Sequence, residues 1–291
     1  MDLYEASRRC HDITSRYLNL EDTSDIIIDT KLKLKDCLDL FTNTILERWT
    51  PFVGNDDFQK HFLSISYNGG KDCQVLMIIY LASLYKKFAQ LLESKDLKIP
   101  AVYLKTYDNF SELIGFIQES KSLYSLDLYV TKTNCMEDTL REYLDSRQSK
   151  NNETIGILLG TRQSDAINYK MEAIQPTDKN YPKFMRIQPI LDWTLKNVWS
   201  FLLFSNEPHC SLYKLGYTSL GKPSETVPNP WLFNEPTNPN LQNGELFIKE
   251  TPEKIDVAEI AYLPGWYLID DSKERDGRNC ILKPKNVTLD I

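Results

Sequence analysis

Apolar residues recur at intervals of three and four along the first part of the chain. Leu3, Ala6, Cys10, Ile13 and Tyr17 form one stripe; after a polar stretch a second runs through Ile27, Leu34, Leu38, Phe41, Ile45 and Trp49. This is the helical period, and Pro51 ends it because proline cannot continue a helix. The pattern predicts a helical pair over residues 1–60, packed on the rest of the chain. From residue 62 the pattern changes to short apolar runs alternating with helical periodicity. Strands are predicted over 62–67, 101–104, 126–130 and 154–160, with an extended segment over 185–191. Helices are predicted over 72–88 and 111–118, through Met136, Leu140 and Leu144, and after Thr194, which is placed to cap the helix carrying Leu195, Val198, Phe201 and Leu202. Strands alternating with helices imply βαβ units. The predicted fold is therefore α/β: a Rossmann-like, mostly parallel sheet with flanking helices. Ligands on such sheets sit beyond the C-terminal strand ends.

Beyond Ser205 the patterning fades, and Pro208, Pro223, Pro228, Pro230, Pro236 and Pro239 interrupt it. Residues 229–243 are polar and are expected to be the most mobile segment. A last strand is predicted over 261–269, leading into the charged run that contains Arg275 and Arg278. The expected organisation is an N-terminal helical segment (1–60), an α/β nucleotide-binding core (61–205) and an irregular C-terminal segment (206–291) that completes the site, all in one structural unit.

Composition narrows the class. In 291 residues, 42% are hydrophobic and 26% charged, which suffices for a core. The net charge of −7 disfavours nucleic acid as a partner, since that needs a basic footprint. Cys10, Cys37, Cys73, Cys135, Cys210 and Cys280 form no CxxC pair, so neither a zinc ribbon nor a dithiol site is expected. They read as reduced thiols of a cytoplasmic protein. The acidic start Met1-Asp2-Leu3-Tyr4-Glu5 is unlike a secretory signal, and no stretch reads as long enough to span a membrane. Only His11, His61 and His209 are present, without HxxxH spacing, so a histidine metal site is not expected. A monomer is expected.

Two segments carry chemistry. Ser66-Tyr67-Asn68-Gly69-Gly70-Lys71-Asp72-Cys73 follows an apolar strand and opens a helix. Unpaired N–H groups at a helix start face anions, and glycines allow close approach and positive φ. Ser66 adds a hydroxyl and Lys71 a charge; Asp72 caps the turn or holds a metal beside the phosphates. The segment is not a Walker loop, and its plainest structural reading is a tight strand–helix turn. The second segment, Gly160-Thr161-Arg162-Gln163-Ser164-Asp165, also ends a strand, and Asp178 and Arg186 follow it. Singly, these aspartates read as loop caps and the arginines as surface ion pairs. Beside a phosphate loop they form a transfer centre. Attack on an α-phosphorus needs Mg²⁺ across the phosphates, cations for developing charge and a positioned nucleophile. A phosphate nucleophile is already ionised and needs no strong base.

The glycine loop resembles the pyrophosphate loop of enzymes that cleave ATP between its α and β phosphates. With Gly160–Asp165, Gln175-Pro176-Thr177-Asp178, Phe184 to Pro189, Trp199-Ser200-Phe201, Ser205-Asn206-Glu207-Pro208 and Pro264-Gly265-Trp266-Tyr267, the ordered set resembles eukaryotic FAD synthases of the fungal type. These belong with the phosphoadenylylsulfate-reductase-like ATP pyrophosphatases. The resemblance implies an FMN adenylyltransferase with ATP and FMN as substrates, FAD as product and Mg²⁺ as cofactor. It implies phosphate contacts from Ser66, Tyr67, Asn68, Gly69, Gly70, Lys71, Asp72, Gly160 and Arg162. It implies catalytic work by Asn68, Asp72, Asp165, Asp178 and Arg186, with Asp72 and Asp165 toward the metal. It further implies flavin contacts from Asp178, Arg186, Arg275 and Arg278, the last two on one helical face by their spacing. Lys105 stands where the family usually has an acidic residue, so Tyr107, Asp108 or backbone groups of 106–110 are expected to border the adenosine. Three rival readings are weighed: a sulfonucleotide-reductase-like pyrophosphatase, for which Cys280 lacks the motif context; a thiolation or amidation enzyme of the same superfamily, against which the missing CxxC pairs argue; and a flavin-binding protein without catalysis, against which Lys71, Asp72, Asp165 and Asp178 argue.

Overall fold

The computed structural model describes residues 1–52, 61–132, 135–147, 155–166, 169–241 and 260–278. Helix α1 (Leu3–Leu18) starts at Asp2, whose Oδ1 accepts from the Glu5 N–H at 2.8 Å. It buries the predicted stripe. Helix α2 (Asp25–Leu40) continues through a π turn (Phe41–Ile45) into the short α3 (Leu46–Arg48). Trp49, expected on the helix, instead forms β1 (Trp49–Thr50) with Thr50.

The remaining strands are β2 (His61–Ser66), β3 (Ile99–Tyr103), β4 (Leu126–Val130), β5 (Gly156–Leu158), β6 (Ile174–Pro176) and β7 (Met185–Ile187). Their order is β4-β3-β2-β5-β7-β6, with β1 added beside the start of β2. All pairings are parallel except β6 with β7. The strand order reverses direction between β2 and β5, which is where a ligand crevice opens in such sheets. The other helices are α4 (Lys71–Ser94), α5 (Ser111–Leu123), α6 (Met136–Ser146) and α7 (Leu195–Ser205).

Helix α4 is longer than the sequence pattern suggested, and it has the length and apolar composition of a membrane span. Most of its apolar residues are instead buried, with its main contacts to α1 and further ones to α7 and α2. Thr194 caps α7 as expected, accepting from the Asn197 N–H at 3.2 Å, and Asn197 returns the bond. One hydrophobic cluster runs from Leu3 to Leu268 and joins both ends of the described chain.

Beyond residue 173 one strand was not foreseen and two expectations fail. Ile174–Pro176 is a strand, although a proline at an antiparallel edge gives little strand signal. The segment 261–269 is not a strand: Tyr262 makes a single bridge to Phe233, and Gly265–Tyr267 is a 3₁₀ turn. Pro264 and the close backbone of Gly265 against the Tyr217 carbonyl prevent extension. Over 229–241 the chain is pinned rather than loose, because Asn229, Asn238 and Asn240 are buried and bonded to backbone carbonyls. Cys280 and residues 242–243 lie outside the described residues.

Candidate active site

A cleft of about 430 Å³ opens at the C-terminal ends of β2, β3 and β5. Its floor is the glycine loop. Gly69 takes φ +71°, and a Cβ there would meet Ile117 Cγ1 at 2.9 Å and Leu113 Cδ1 at 3.0 Å. Positive φ and close packing on α5 both demand glycine there. Gly70, also expected at positive φ, has φ −71° and caps α4 through its backbone. Asn68 holds the turn, its Oδ1 accepting from the Gly70 N–H at 2.9 Å. The first turn of α4 thus opens toward the cleft. Gly160 closes the floor from β5: a Cβ would meet the Cys73 N atom at 2.8 Å.

The floor itself carries an ionic cluster, in which Lys71, Asp72 and Glu274 line the cleft and Arg162 lies beneath them. Lys71 Nζ lies 3.1 Å from Asp72 Oδ2 and 2.5 Å from Glu274 Oε1. Arg162 Nε lies 2.8 Å from Asp72 Oδ1, and Arg162 also donates to Glu274 Oε2. Lys71 and Arg162 are 2% and 1% exposed, so both charges depend on these partners. Burial opposes the Lys71 charge, but Asp72 and Glu274 outweigh it and its pKa is raised. The same balance raises that of Arg162. Burial works to raise the pKa of Asp72, but Lys71 and Arg162 prevail and lower it. Burial pushes the Cys73 thiol up to about 11, so it is not a ready nucleophile.

Asp165 links the two walls of the cleft. Its Oδ2 accepts from the Arg162 backbone N–H at 2.9 Å and its Oδ1 from Arg275 at 2.8 Å. Arg278 reaches Ser219 Oγ at 3.5 Å. Ser66, Asn68, Gly70, Lys71, Asp72, Gly160, Asp165, Arg275 and Arg278 therefore line one cleft, as the sequence reading requires. Tyr103, Leu104, Thr106, Tyr107 and Asn109 line it from the β3 side. Lys105 turns away to Asp108 at 2.9 Å.

Other expected site residues are placed differently. Tyr67 is fully buried; its hydroxyl meets Gln74 and Ser120 and its N–H donates to Val102. Neither polar group of Tyr67 is free for a phosphate. Arg162 lies beneath the cleft lining, its guanidinium held by carboxylates. Asp178 and Arg186 do not line the cleft. They pair with each other at 3.4 Å in the β6–β7 hairpin, and Asp178 is largely exposed. Because β7 parallels β5, the hairpin tip after Pro176 lies past the N-terminal end of β7, the edge opposite the glycine loop. The expectation that Asp178 sits at the ligand edge fails because β6 reverses the chain. Arg275 and Arg278 are not on a helical face: a 3₁₀ turn (Asp271–Lys273) precedes them, and Arg278 bridges to Thr226.

Two residues were missed. Glu274 sits in a charged run that resembles an exposed surface, yet it is 8% exposed and binds two cations. Tyr213, whose hydroxyl accepts from the Lys71 N–H at 3.0 Å, carries no sequence signal. Among the described residues no group of three His, Cys, Asp or Glu forms a metal cage.

Comparison with known proteins agrees with this geometry. Residues 63–228 match the family model for the phosphoadenosine phosphosulfate reductase domain. The flavin adenine dinucleotide synthase of Saccharomyces cerevisiae is 34% identical, over 96% of this chain and 99% of its own length. The Candida glabrata FMN adenylyltransferase, solved with FAD and inorganic pyrophosphate, superposes with a TM-score of 0.82 at 36% identity, covering 96% of this chain and 97% of that one. The same enzyme solved with FMN and the ATP analogue AMPCPP superposes equally well, at 0.82 and 36%, covering 96% of this chain and all of that one (100%). The chain therefore belongs to the phosphoadenosine phosphosulfate reductase domain family and, within it, to the FAD synthases.

Proposed function

We infer that this protein is an FMN adenylyltransferase, which moves the AMP part of ATP onto the phosphate of FMN and releases pyrophosphate. The observation that carries this reading is a single cleft with a glycine loop at the start of α4 on one side and Arg275 and Arg278 on the other. The related enzyme solved with FMN and an ATP analogue supports it.

The triphosphate lies over residues 68–70 and the N-terminus of α4, where the helix dipole favours anions. Arg275 and Arg278 face the FMN phosphate. An oxygen of that phosphate attacks the α-phosphorus, the α–β bridging bond breaks, and the electron pair leaves with pyrophosphate. The nucleophile is ionised at neutral pH, so no general base is required, and no histidine lines the cleft among the described residues. Lys71 and the α4 N-terminus offset charge that develops on the β-phosphate oxygens.

Asp72 and Asp165 would hold Mg²⁺. They line the cleft, and each carboxylate oxygen keeps a lone pair beyond the contact that it already makes. Magnesium commonly takes one or two carboxylates and completes its shell with substrate phosphates and water, so the lack of a protein cage does not oppose the assignment. When bound, it offsets phosphate charge. One chain supplies both walls of the cleft, which supports action as a monomer. The free Cys10, Cys37, Cys73, Cys135 and Cys210 support a cytoplasmic location.

Incubation with ATP, MgCl₂ and either FMN or riboflavin tests the assignment, with FAD and pyrophosphate measured together. FAD is expected from FMN and not from riboflavin. ATP turnover without FAD would overturn it.

A further inference from the structure

A chain of buried polar side chains runs beneath the glycine loop and touches no part of the cleft. Glu207 is 7% exposed, and its carboxylate accepts from Arg9 of α1 at 2.7 and 3.1 Å. It also accepts from the Tyr124 hydroxyl at 2.7 Å. The Tyr124 oxygen in turn accepts from Gln74 Nε2, whose second hydrogen goes to the Pro208 carbonyl at 3.0 Å. Gln74 Oε1 then accepts from the Tyr67 hydroxyl at 2.6 Å. Tyr67 also meets Ser120 Oγ at 2.8 Å.

The chain has one direction. A carboxylate can only accept, so Tyr124 must donate to Glu207 and its oxygen is left to receive Gln74. The Gln74 amide is thereby fixed with its nitrogen toward Tyr124 and its oxygen toward Tyr67. Burial, then the Glu207 charge, raise the pKa of Tyr124 well above its ordinary value, so its proton stays in place. The ends of this chain bracket the loop. Tyr67 precedes residues 68–70, and Gln74 lies in the first turn that follows, its N–H bonded to the Gly70 carbonyl at 2.9 Å. Loop entry and loop exit are thus tied side chain to side chain underneath the phosphate cradle.

We propose that Glu207, acting through Tyr124, Gln74 and Tyr67, is a positioning residue that keeps the backbone of residues 68–70 aimed at the triphosphate. It touches no substrate. Buried hydrogen-bond networks rigidify what they join when every member is satisfied, and a cradle of N–H groups works only if held in place before the ligand arrives. The proposal rests on the reading of the loop as the ATP site, so its test measures binding rather than FAD formation.

Titration calorimetry with AMPCPP and, separately, with FMN is performed on Tyr67→Phe, Tyr124→Phe and Glu207→Gln. Each change is expected to weaken AMPCPP about three- to tenfold, the scale of one buried hydrogen bond. FMN affinity should stay within about twofold, because its contacts lie on the other wall. The double variant Tyr67→Phe/Glu207→Gln should bind AMPCPP no more weakly than the worse single variant, since both break one chain. Unchanged AMPCPP affinity in folded variants, equal losses for both ligands, or losses that multiply in the double variant would each overturn the proposal. If Glu207→Gln does not fold, the two tyrosine variants, which each remove one oxygen, still decide it, with their double variant as the coupling test. Wild-type protein that binds AMPCPP yet makes no FAD would count against the proposed reaction and leave this measurement intact.

Discussion

Two walls face each other across the cleft, and they are built by different means. One is the edge of the parallel sheet with α4 and α5, where backbone hydrogen bonds repeat along strands and helices. The other comes from residues 206–278, where the described elements are short 3₁₀ turns and single bridges. There, side chains replace the ladder. Asn229 Nδ2 donates to Thr218 Oγ1 at 2.9 Å and the Lys273 carbonyl at 2.8 Å. Asn238 donates to the Trp231 and Phe233 carbonyls at 3.0 and 2.7 Å, and Asn240 accepts from the Ile269 N–H at 2.9 Å. Thr218 donates to the Glu274 carbonyl at 2.7 Å. A wall made of repeats spreads its stability over many equivalent bonds, whereas a wall made of single amides concentrates it in a few residues.

The contrast is tested most strongly where the walls join. Arg162→Ala removes the partner of Asp72 and Glu274 and leaves buried carboxylates facing Lys71 alone. Breaking a buried ion pair from one side costs about 3–5 kcal/mol, so thermal unfolding should show a large loss of stability along with loss of FAD formation. A fall in the melting temperature no larger than a surface change produces would mean that the cluster does not hold the walls together.

A smaller effect separates the walls from each other. Asn229→Ala leaves the Lys273 carbonyl without its donor and should cost about 1–3 kcal/mol. Thr194→Ala, which removes a helix cap from the regular side, should cost about 1 kcal/mol. Denaturant midpoints that rank the two variants in the opposite order would refute the idea that the irregular wall depends on single amides.

The smallest effect is a pH dependence that should be absent. Asp72 has a lowered pKa, so its contribution is present above the ordinary carboxylate range and is lost as pH falls through the lowered value. Lys71 has a raised pKa, so its contribution is present below the ordinary lysine range and is lost as pH rises through the raised value. Between about pH 6 and 9 neither group titrates. In the folded wild type, side-chain NMR signals of Asp72 and Lys71 should therefore stay flat across that window. A step in either would mean that the cluster carries a proton that these pairings do not describe.

The regular wall was legible in the sequence because periodicity reports burial. The stripe from Leu3 to Tyr17, the strand–loop–helix at residues 62–72 and the cap at Thr194 all follow from residue spacing and local hydrogen bonding. The irregular wall was not legible for the same reason that it works: Asn229, Asn238 and Asn240 look like loop residues unless their partners are known. Glu274 was hidden because nothing separates a buried glutamate from its charged neighbours until Lys71 and Arg162 are brought to it. Asp178 was misplaced because the edge strand β6, three residues ending in proline, is too short to announce the reversal that sends it to the far edge. Tyr67 was read as a ligand contact from its place in the loop, but its ring is held inward by Gln74 and Ser120.

The ionic cluster also orders events in time. Lys71 and Glu274 are 203 residues apart along the chain, and Arg162 and Glu274 are 112 apart. Contacts of such separation close large loops and form slowly, after local helices and neighbouring strands have paired. The sheet and its glycine loop can therefore take shape while Lys71 and Arg162 still share only Asp72 between them. Without the segment bearing Glu274 the floor of the cleft would hold two cations against one carboxylate, so that late-closing segment is what balances the charge beneath the phosphates.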